Sequence, residues 1–248
     1  VDNSLKTEIL REKLNPPVPD WKNFNGIKVV HIDTGVNYLL KGIYKRLARD
    51  RMGNLLGWDY WENDARPFDI NIAQSPFFPL RHGTAVASVL LREAPNASLV
   101  PFRYPHNQMN KFASIIDETV NLKSVIAMLP MGSKDEKDWE DFKKKAEINQ
   151  DILFIISAGN NGWDIDKTPI YPASFDLKNF IVVTSSDDFG RLAMGSNWGR
   201  MSVDIMVPGE RVTVTDHRGV VQKASGSSYA VPRVAALAAR LKGKNPNW

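Results

Sequence analysis

Short apolar runs rich in β-branched residues recur along this chain, and between them the apolar positions repeat at helical spacing. Runs at 27–32, 98–102, 124–129, 152–157, 180–184 and 203–207 predict strands. The run Ile152-Leu153-Phe154-Ile155-Ile156 lacks the polar alternation of a half-exposed strand, so it predicts a strand covered on both faces. Helical spacing fills 83–92, 111–122, 136–149 and 227–241. Strands alternating with helices build right-handed crossovers, so the expected fold class is α/β, a three-layer, mainly parallel sheet flanked by helices. No linker, repeat or low-complexity tract interrupts the pattern. Residues 1–248 therefore read as a single domain, with 1–25 an N-terminal extension packing on it.

Composition narrows the chemistry. The net charge of +4 is mild, and 28 acidic residues interleave with 32 basic ones, so no nucleic-acid partner is expected. The densest cluster, 134–145, alternates in sign and reads as the solvated face of a helix. The absence of cysteine excludes disulfides, a catalytic thiol and thiolate metal sites. No apolar run reaches the ~18–20 residues that span a bilayer, so no membrane span is expected. The first twenty residues are polar and contain proline, unlike a signal peptide, which suggests a mature or trimmed product.

In an open parallel sheet, ligands bind beyond the carboxyl ends of the strands. Asp33 closes the first predicted strand there, and an acid buried at that place needs a partner, unless it merely forms an Asx turn. His82 opens the first long predicted helix beside Gly83; His31 lies inside a strand, where packing or a local hydrogen bond accounts for it, and His106 and His217 fall in loops. His82 is thus the imidazole that Asp33 would orient. Ser228 stands in Ser225-Gly226-Ser227-Ser228-Tyr229-Ala230-Val231-Pro232, with Pro232 expected in the first turn of the last helix. It would be a nucleophile if a base removes its proton, and otherwise an N-capping serine, for which Ser227 competes. Asn160, in Ser157-Ala158-Gly159-Asn160-Asn161-Gly162, offers an amide donor to an oxyanion; Asn161 is the neighbouring alternative.

These segments, in the order Asp, His, Asn, Ser, resemble the patterns of the subtilisin-like serine proteases (subtilases). Ala94-Pro95-Asn96-Ala97-Ser98-Leu99, Tyr171-Pro172-Ala173-Ser174, Ser196-Asn197-Trp198-Gly199 and Val203-Asp204-Ile205-Met206-Val207-Pro208-Gly209 are similar as well, and the likeness runs from about Gly26 to Trp248. The resemblance implies a serine endopeptidase with Asp33, His82 and Ser228 as triad and Asn160 as oxyanion donor. It implies polypeptide substrates, a pro-domain or protein inhibitor as a further partner, and a secreted or cell-envelope, bacterial setting. It also implies a peptide bound as a strand between two edges. Around that cleft Met128, Leu129, Pro130, Met131, Gly132, Ser157, Ala158, Gly159 and Tyr104 would contact substrate.

The chain departs from the family where Ser227-Ser228-Tyr229 replaces Thr-Ser-Met and where Ala85 replaces a second histidine. The helix after His82 runs straight from Leu90-Leu91-Arg92-Glu93 into Ala94-Pro95, without the insertion that seats a tight calcium ion in many subtilisins. Hence no metal ligands are assigned and no cofactor is expected to be required, with a weak calcium site left open. Pro130 lacks a backbone donor at one substrate edge, and Phe102-Arg103-Tyr104-Pro105-His106 replaces a glycine-rich one. Asp164 and Asp166, in a loop beside the cleft, are expected to be solvated or else to favour a basic substrate residue. Two other readings share the scaffold: a binding module that keeps the fold without turnover, and an acyl-transfer enzyme such as a ligase or esterase.

Overall fold

The computed structural model describes residues 15–22, 25–69 and 81–247. Along the chain come β1 (Ile27–Asp33), α1 (Lys41–Tyr44), β2 (Trp58–Asp59), α2 (Gly83–Glu93), β3 (Ala97–Arg103), α3 (Phe112–Asn121), β4 (Ile126–Leu129), α4 (Glu140–Ile148), β5 (Leu153–Ser157), β6 (Phe180–Ser186), β7 (Ile205–Pro208), β8 (Val212–Thr215), β9 (Val221–Ala224) and α5 (Ser227–Lys244). Seven strands form one sheet in the order β2-β3-β1-β4-β5-β6-β7, every pair parallel, while β8 and β9 form a separate antiparallel hairpin.

The two-residue period of a strand divides the core between the sheet's faces. Val29, Met128, Ile155 and Val183 pack with Val86 and Leu90 of α2 and with Val231 and Ala235 of α5. Their neighbours Val30, Ile32, Leu129, Phe154 and Ile156 point the other way, into Phe112, Ile115 and Phe142 of α3 and α4. Three layers result, and the continuous apolar run in β5 is explained by cover on both sides.

Several boundaries differ from the sequence pattern for local reasons. β4 starts at Ile126, two residues after the buried Ser124, whose hydroxyl donates to the Lys28 carbonyl (3.0 Å). β7 starts at Ile205, since the Asp204 carboxylate takes the Val182 amide (2.7 Å) in place of a ladder carbonyl. The stretch 136–149 splits into a 3-10 turn, Lys137–Trp139, and α4, because Trp139 leaves helical geometry at φ −111°, ψ 2°. Pro232 sits inside α5, in its second turn rather than its first, and withholds the N–H that would bond the Ser228 carbonyl four residues back. The short β2 and α1 and the β8–β9 hairpin have no counterpart in the apolar pattern. Of the N-terminal extension, 1–14 and 23–24 lie outside the described residues. Asn15 donates to Asp64 (2.6 Å), Pro16 accepts from the Tyr38 hydroxyl (2.5 Å) and Pro19 from Arg49 (2.6 Å), so the described part is fastened to the sheet's β2 side.

Candidate active site

β1 delivers Asp33 to the carboxyl end of the sheet, 1% exposed, with its carbonyl accepting the Tyr104 amide at 2.9 Å. α2 begins beside it. A Cβ on Gly83 would stand 2.1 Å from the Gly35 carbonyl and 3.2 Å from the Asp33 Cβ, so only glycine lets the helix start this close to the strand. That approach sets His82 Nδ1 at 2.9 Å from both Asp33 carboxylate oxygens. The Thr34 amide donates to Oδ1 at 2.6 Å, and His31 Nε2 reaches Oδ2 at 3.1 Å. Burial by itself pushes the Asp33 carboxyl up, but the charge and hydrogen bonds of the two imidazoles, His82 first, outweigh it and hold the group well below the usual range. Burial likewise depresses His82; the charge and hydrogen bond of Asp33, with the charge of Asp69, reverse this and leave it above its ordinary value of 6.5.

Ser228 occupies the first turn of α5, where Ser227 is the first helical residue and Gly226 the N-cap, without a side-chain cap. The capping-serine alternative therefore does not hold for either serine. The Ser228 hydroxyl, 9% exposed, donates to the Pro130 carbonyl at 3.2 Å rather than to His82. The first turn of α5 nevertheless lies against the imidazole, with the rings of His82 and Tyr229 5.9 Å apart. In that turn the Ser228 amide has no intrahelical acceptor, and the helix dipole is positive.

Asn160 follows β5 and faces the same turn. Its Oδ1 accepts the Ser227 amide (2.8 Å) and hydroxyl (2.9 Å). An amide N–H must find an oxygen, so this contact fixes the flip of the side chain and leaves Nδ2 as the outward donor. The loop carrying Asn160 is held by residues the motif reading left without a role. Asn197, fully buried, donates through Nδ2 to the Ala158 carbonyl (2.7 Å) and accepts the amides of Asn161 (2.8 Å) and Trp163 (3.0 Å) through Oδ1. It is packed so tightly under Gly159, at φ +96°, that a Cβ there would lie 2.6 Å from its amide nitrogen. Ser157 and Ser227 share a 2.7 Å hydroxyl contact beneath the loop. A second carboxylate also backs the helix start: Asp69, fully buried, accepts from Thr34 Oγ1 (2.6 Å) and the Thr84 amide (3.0 Å), while Thr34 Oγ1 in turn accepts the Gly83 amide (2.8 Å). Asp69 follows two apolar residues with no partner nearby in sequence, so nothing in the linear pattern separates it from a turn acid.

Residues expected to face substrate divide by burial. Met128, Leu129, Ser157 and Ala158 are buried at 0%, 0%, 3% and 0% exposure, so they carry the rims rather than form them. Pro130 is buried with its carbonyl on Ser228; Met131 and Gly132 come to the surface. Tyr104 is half-buried against Trp61 (5.3 Å), which stacks on His106 at 4.0 Å. The donors of this edge are spent internally: Tyr104 on the Asp33 carbonyl (2.9 Å), His106 on the Tyr104 carbonyl (3.1 Å), and Pro105 has none. Asp166 takes the amides of Arg200 (2.7 Å), Met201 (3.0 Å) and Ser202 (2.9 Å), and Asp164 pairs with Lys167 (3.0 Å). Asp166 thus anchors the loop while its residue stays exposed. Among the described residues no group of three or more His, Asp or Glu side chains is placed to hold a metal ion.

The model of the Subtilase family matches residues 25–248. A thermophilic serine proteinase of Bacillus sp. (strain AK1) is 28% identical over 242 residues, covering 91% of this chain and 54% of that protein. Thermitase of Thermoactinomyces vulgaris is 26% identical over 240 residues, covering 91% of this chain and 78% of its own. Among solved structures, a cold-adapted subtilisin-like serine proteinase superposes with a TM-score of 0.71 at 24% identity, over 94% of this chain and 82% of the other. That likeness concerns the fold.

Proposed function

This chain belongs to the subtilase family, and from that premise we propose that it is a serine endopeptidase working through Asp33, His82 and Ser228 with Asn160 as oxyanion donor. One observation carries the proposal: His82 Nδ1 is bound symmetrically by a buried carboxylate, which leaves Nε2 for the hydroxyl on the adjacent helix start. Release of the Ser228 hydroxyl from Pro130 gives it to His82 Nε2. Oγ then attacks the peptide carbonyl carbon as its proton passes to His82, and the oxyanion is held by Asn160 Nδ2 and the Ser228 amide. His82 returns the proton to the leaving amine, the C–N bond breaks, and an ester remains on Ser228. Water, deprotonated by His82, attacks that ester; the ester C–O bond breaks, His82 returns the proton to Ser228 Oγ, and the acid is freed. Substrate would pair chiefly with the Met131–Gly132 edge, since the Tyr104 edge has its donors committed.

Two outcomes follow from the geometry. His82 serves as a base only when neutral, and its proton is held above 6.5, so kcat/KM falls on the acid side of a midpoint above that value. A pH–rate profile with an acid midpoint at or below 6.5 would contradict the assignment. Asn160→Asp keeps the oxygen that accepts from Ser227 but replaces the oxyanion donor with negative charge, so kcat is expected to drop by at least ~10³-fold while KM changes little. Steady-state kinetics on one peptide substrate reads both parameters.

The parked Ser228 hydroxyl favours a second reading, a peptide-binding module without turnover. A fluorophosphonate separates the two: stoichiometric labelling at Ser228, with cleavage of a diverse peptide library, supports the protease. No labelling of a folded sample supports the binding module. Polypeptide substrates and a site of action outside the cytoplasm, in a bacterial cell envelope or beyond it, belong to the same proposal. No helix among the described residues is long and apolar enough to cross a membrane.

A further inference from the structure

Asp33 accepts from a second imidazole that the proposed chemistry does not use. His31, two residues earlier on β1, is 1% exposed and sets Nε2 at 3.1 Å from Asp33 Oδ2. Its Nδ1 is buried without a hydrogen-bond partner. A carboxylate only accepts, so Nε2 carries the proton and His31 is a donor to Asp33. A histidine whose other nitrogen is left unpaired in the core is a costly filler at a position where strand neighbours such as Val29 and Val30 are aliphatic. The torsion that turns an aspartate carboxylate is soft, so its plane is set by the donors around it. Here the Thr34 amide fixes Oδ1, and His31 is the one donor that touches Oδ2 alone.

We propose that His31 is a positioning residue for the Asp33–His82 pair, its Nε2–H pinning the carboxylate oxygen that would otherwise swing and sharing the negative charge offered to His82. The proposal rests on the protease reading for its kinetic consequence, although the contact itself does not. The titratable groups around the pair are His82 at the head of α2, Tyr104 just after β3 and Tyr229 in the first turn of α5, with Asp69 acting on His82. Across the sheet, the register partners of His31 are Pro101 on β3 and Met128 on β4. Arg103, opposite Asp33, is engaged with Asp59 at 2.9 Å. Beside His82, His31 is therefore the only side chain hydrogen-bonded to that carboxylate among the described residues, the remaining donor being the Thr34 amide.

The test compares His31→Leu, which removes the donor, with His31→Gln, whose amide reaches the place of Nε2. In the full chain carrying Ser228→Ala, NMR titration of the His82 imidazole needs no turnover. His31→Leu leaves Asp33 more charge to offer His82, and the His82 midpoint rises by about half a unit, whereas His31→Gln titrates as wild type. In the chain with Ser228 present, kcat of His31→Leu falls roughly tenfold with KM unchanged, and His31→Gln recovers it. If the Leu and Gln variants titrate identically with wild type, or lose activity only in proportion to the folded fraction, His31 is a core filler and the proposal is overturned. Should His31→Leu fail to fold, His31→Met makes the same comparison. Absence of fluorophosphonate labelling in wild type would sink the protease reading while leaving the titration interpretable.

Discussion

Ser228→Ala is expected to lower kcat by about 10⁶-fold while leaving the melting temperature within a few degrees of wild type. The two halves of that expectation come from different atoms. In the proposed mechanism Oγ is the atom that bonds to substrate, and no neighbour replaces it: Ser227 Oγ is tied to Ser157 (2.7 Å), Asn160 (2.9 Å) and the Gly159 carbonyl (3.2 Å) beneath the Asn160 loop. Stability depends only on the single hydroxyl contact to the Pro130 carbonyl at 3.2 Å, which is worth about 1 kcal/mol or less, and alanine is a better helix former in the first turn. If the proposed triad acts as a unit, adding His82→Ala to Ser228→Ala costs little further activity. Matched kcat and thermal-melt measurements check both halves. Turnover within tenfold of wild type removes Ser228 from the mechanism, and a collapse of the fold removes the reading of Ser228 as a residue free of structural duty.

The layers of the fold were legible because they depend on local period: apolar runs such as 152–156 and helical spacing such as 83–92 report burial directly. Asp33, His82, Asn160 and Ser228 were legible because each stands at a strand end or helix start, where an α/β sheet places its chemistry. What remained hidden rests on contacts between residues distant in sequence. Asp69 bonds Thr34 and Thr84, 35 and 15 residues away, and Asn197 braces a loop 36 residues earlier. His31 read as packing or a local hydrogen bond because its contact to Asp33 is formed within one strand, and no pattern tells such a contact from a structural one. Met128, Leu129, Ser157 and Ala158 were expected to contact substrate, yet they are sealed at 0–3% exposure, and strand alternation does not reveal which residues beside a cleft lie beneath its rim. Pro130 withdrew a donor as expected, but its retained carbonyl proved the relevant atom, as the acceptor of Ser228.

Asp33→Asn is the second large effect, about 10⁴-fold in kcat, and its cause is a proton in the wrong place. As a carboxylate, Asp33 accepts three donors: the Thr34 amide at 2.6 Å, His82 Nδ1 at 2.9 Å and His31 Nε2 at 3.1 Å. An asparagine keeps one oxygen, which the nearest donor, Thr34, retains; its NH₂ then confronts the imidazoles, N–H against N–H. His82 escapes by moving its proton to Nε2, and in that tautomer it cannot accept the proton of Ser228. The charge that holds the His82 proton is lost as well, so the residual activity has an acid midpoint displaced downward. Stability carries a separate sign. Asp33 titrates below its unfolded value of 3.8, so in wild type it contributes stability that is present above that value and lost as pH falls toward the folded one. His82, raised above 6.5, contributes stability that is present below that value and lost as pH rises through the folded one, and this too depends on Asp33. Asp33→Asn therefore flattens the stability–pH curve on both sides, most clearly in acid. Denaturant unfolding across pH 3 to 9 reads that flattening alongside the kinetic profile, and an unchanged curve would mean that Asp33 and His82 are not coupled in the way their 2.9 Å contacts require.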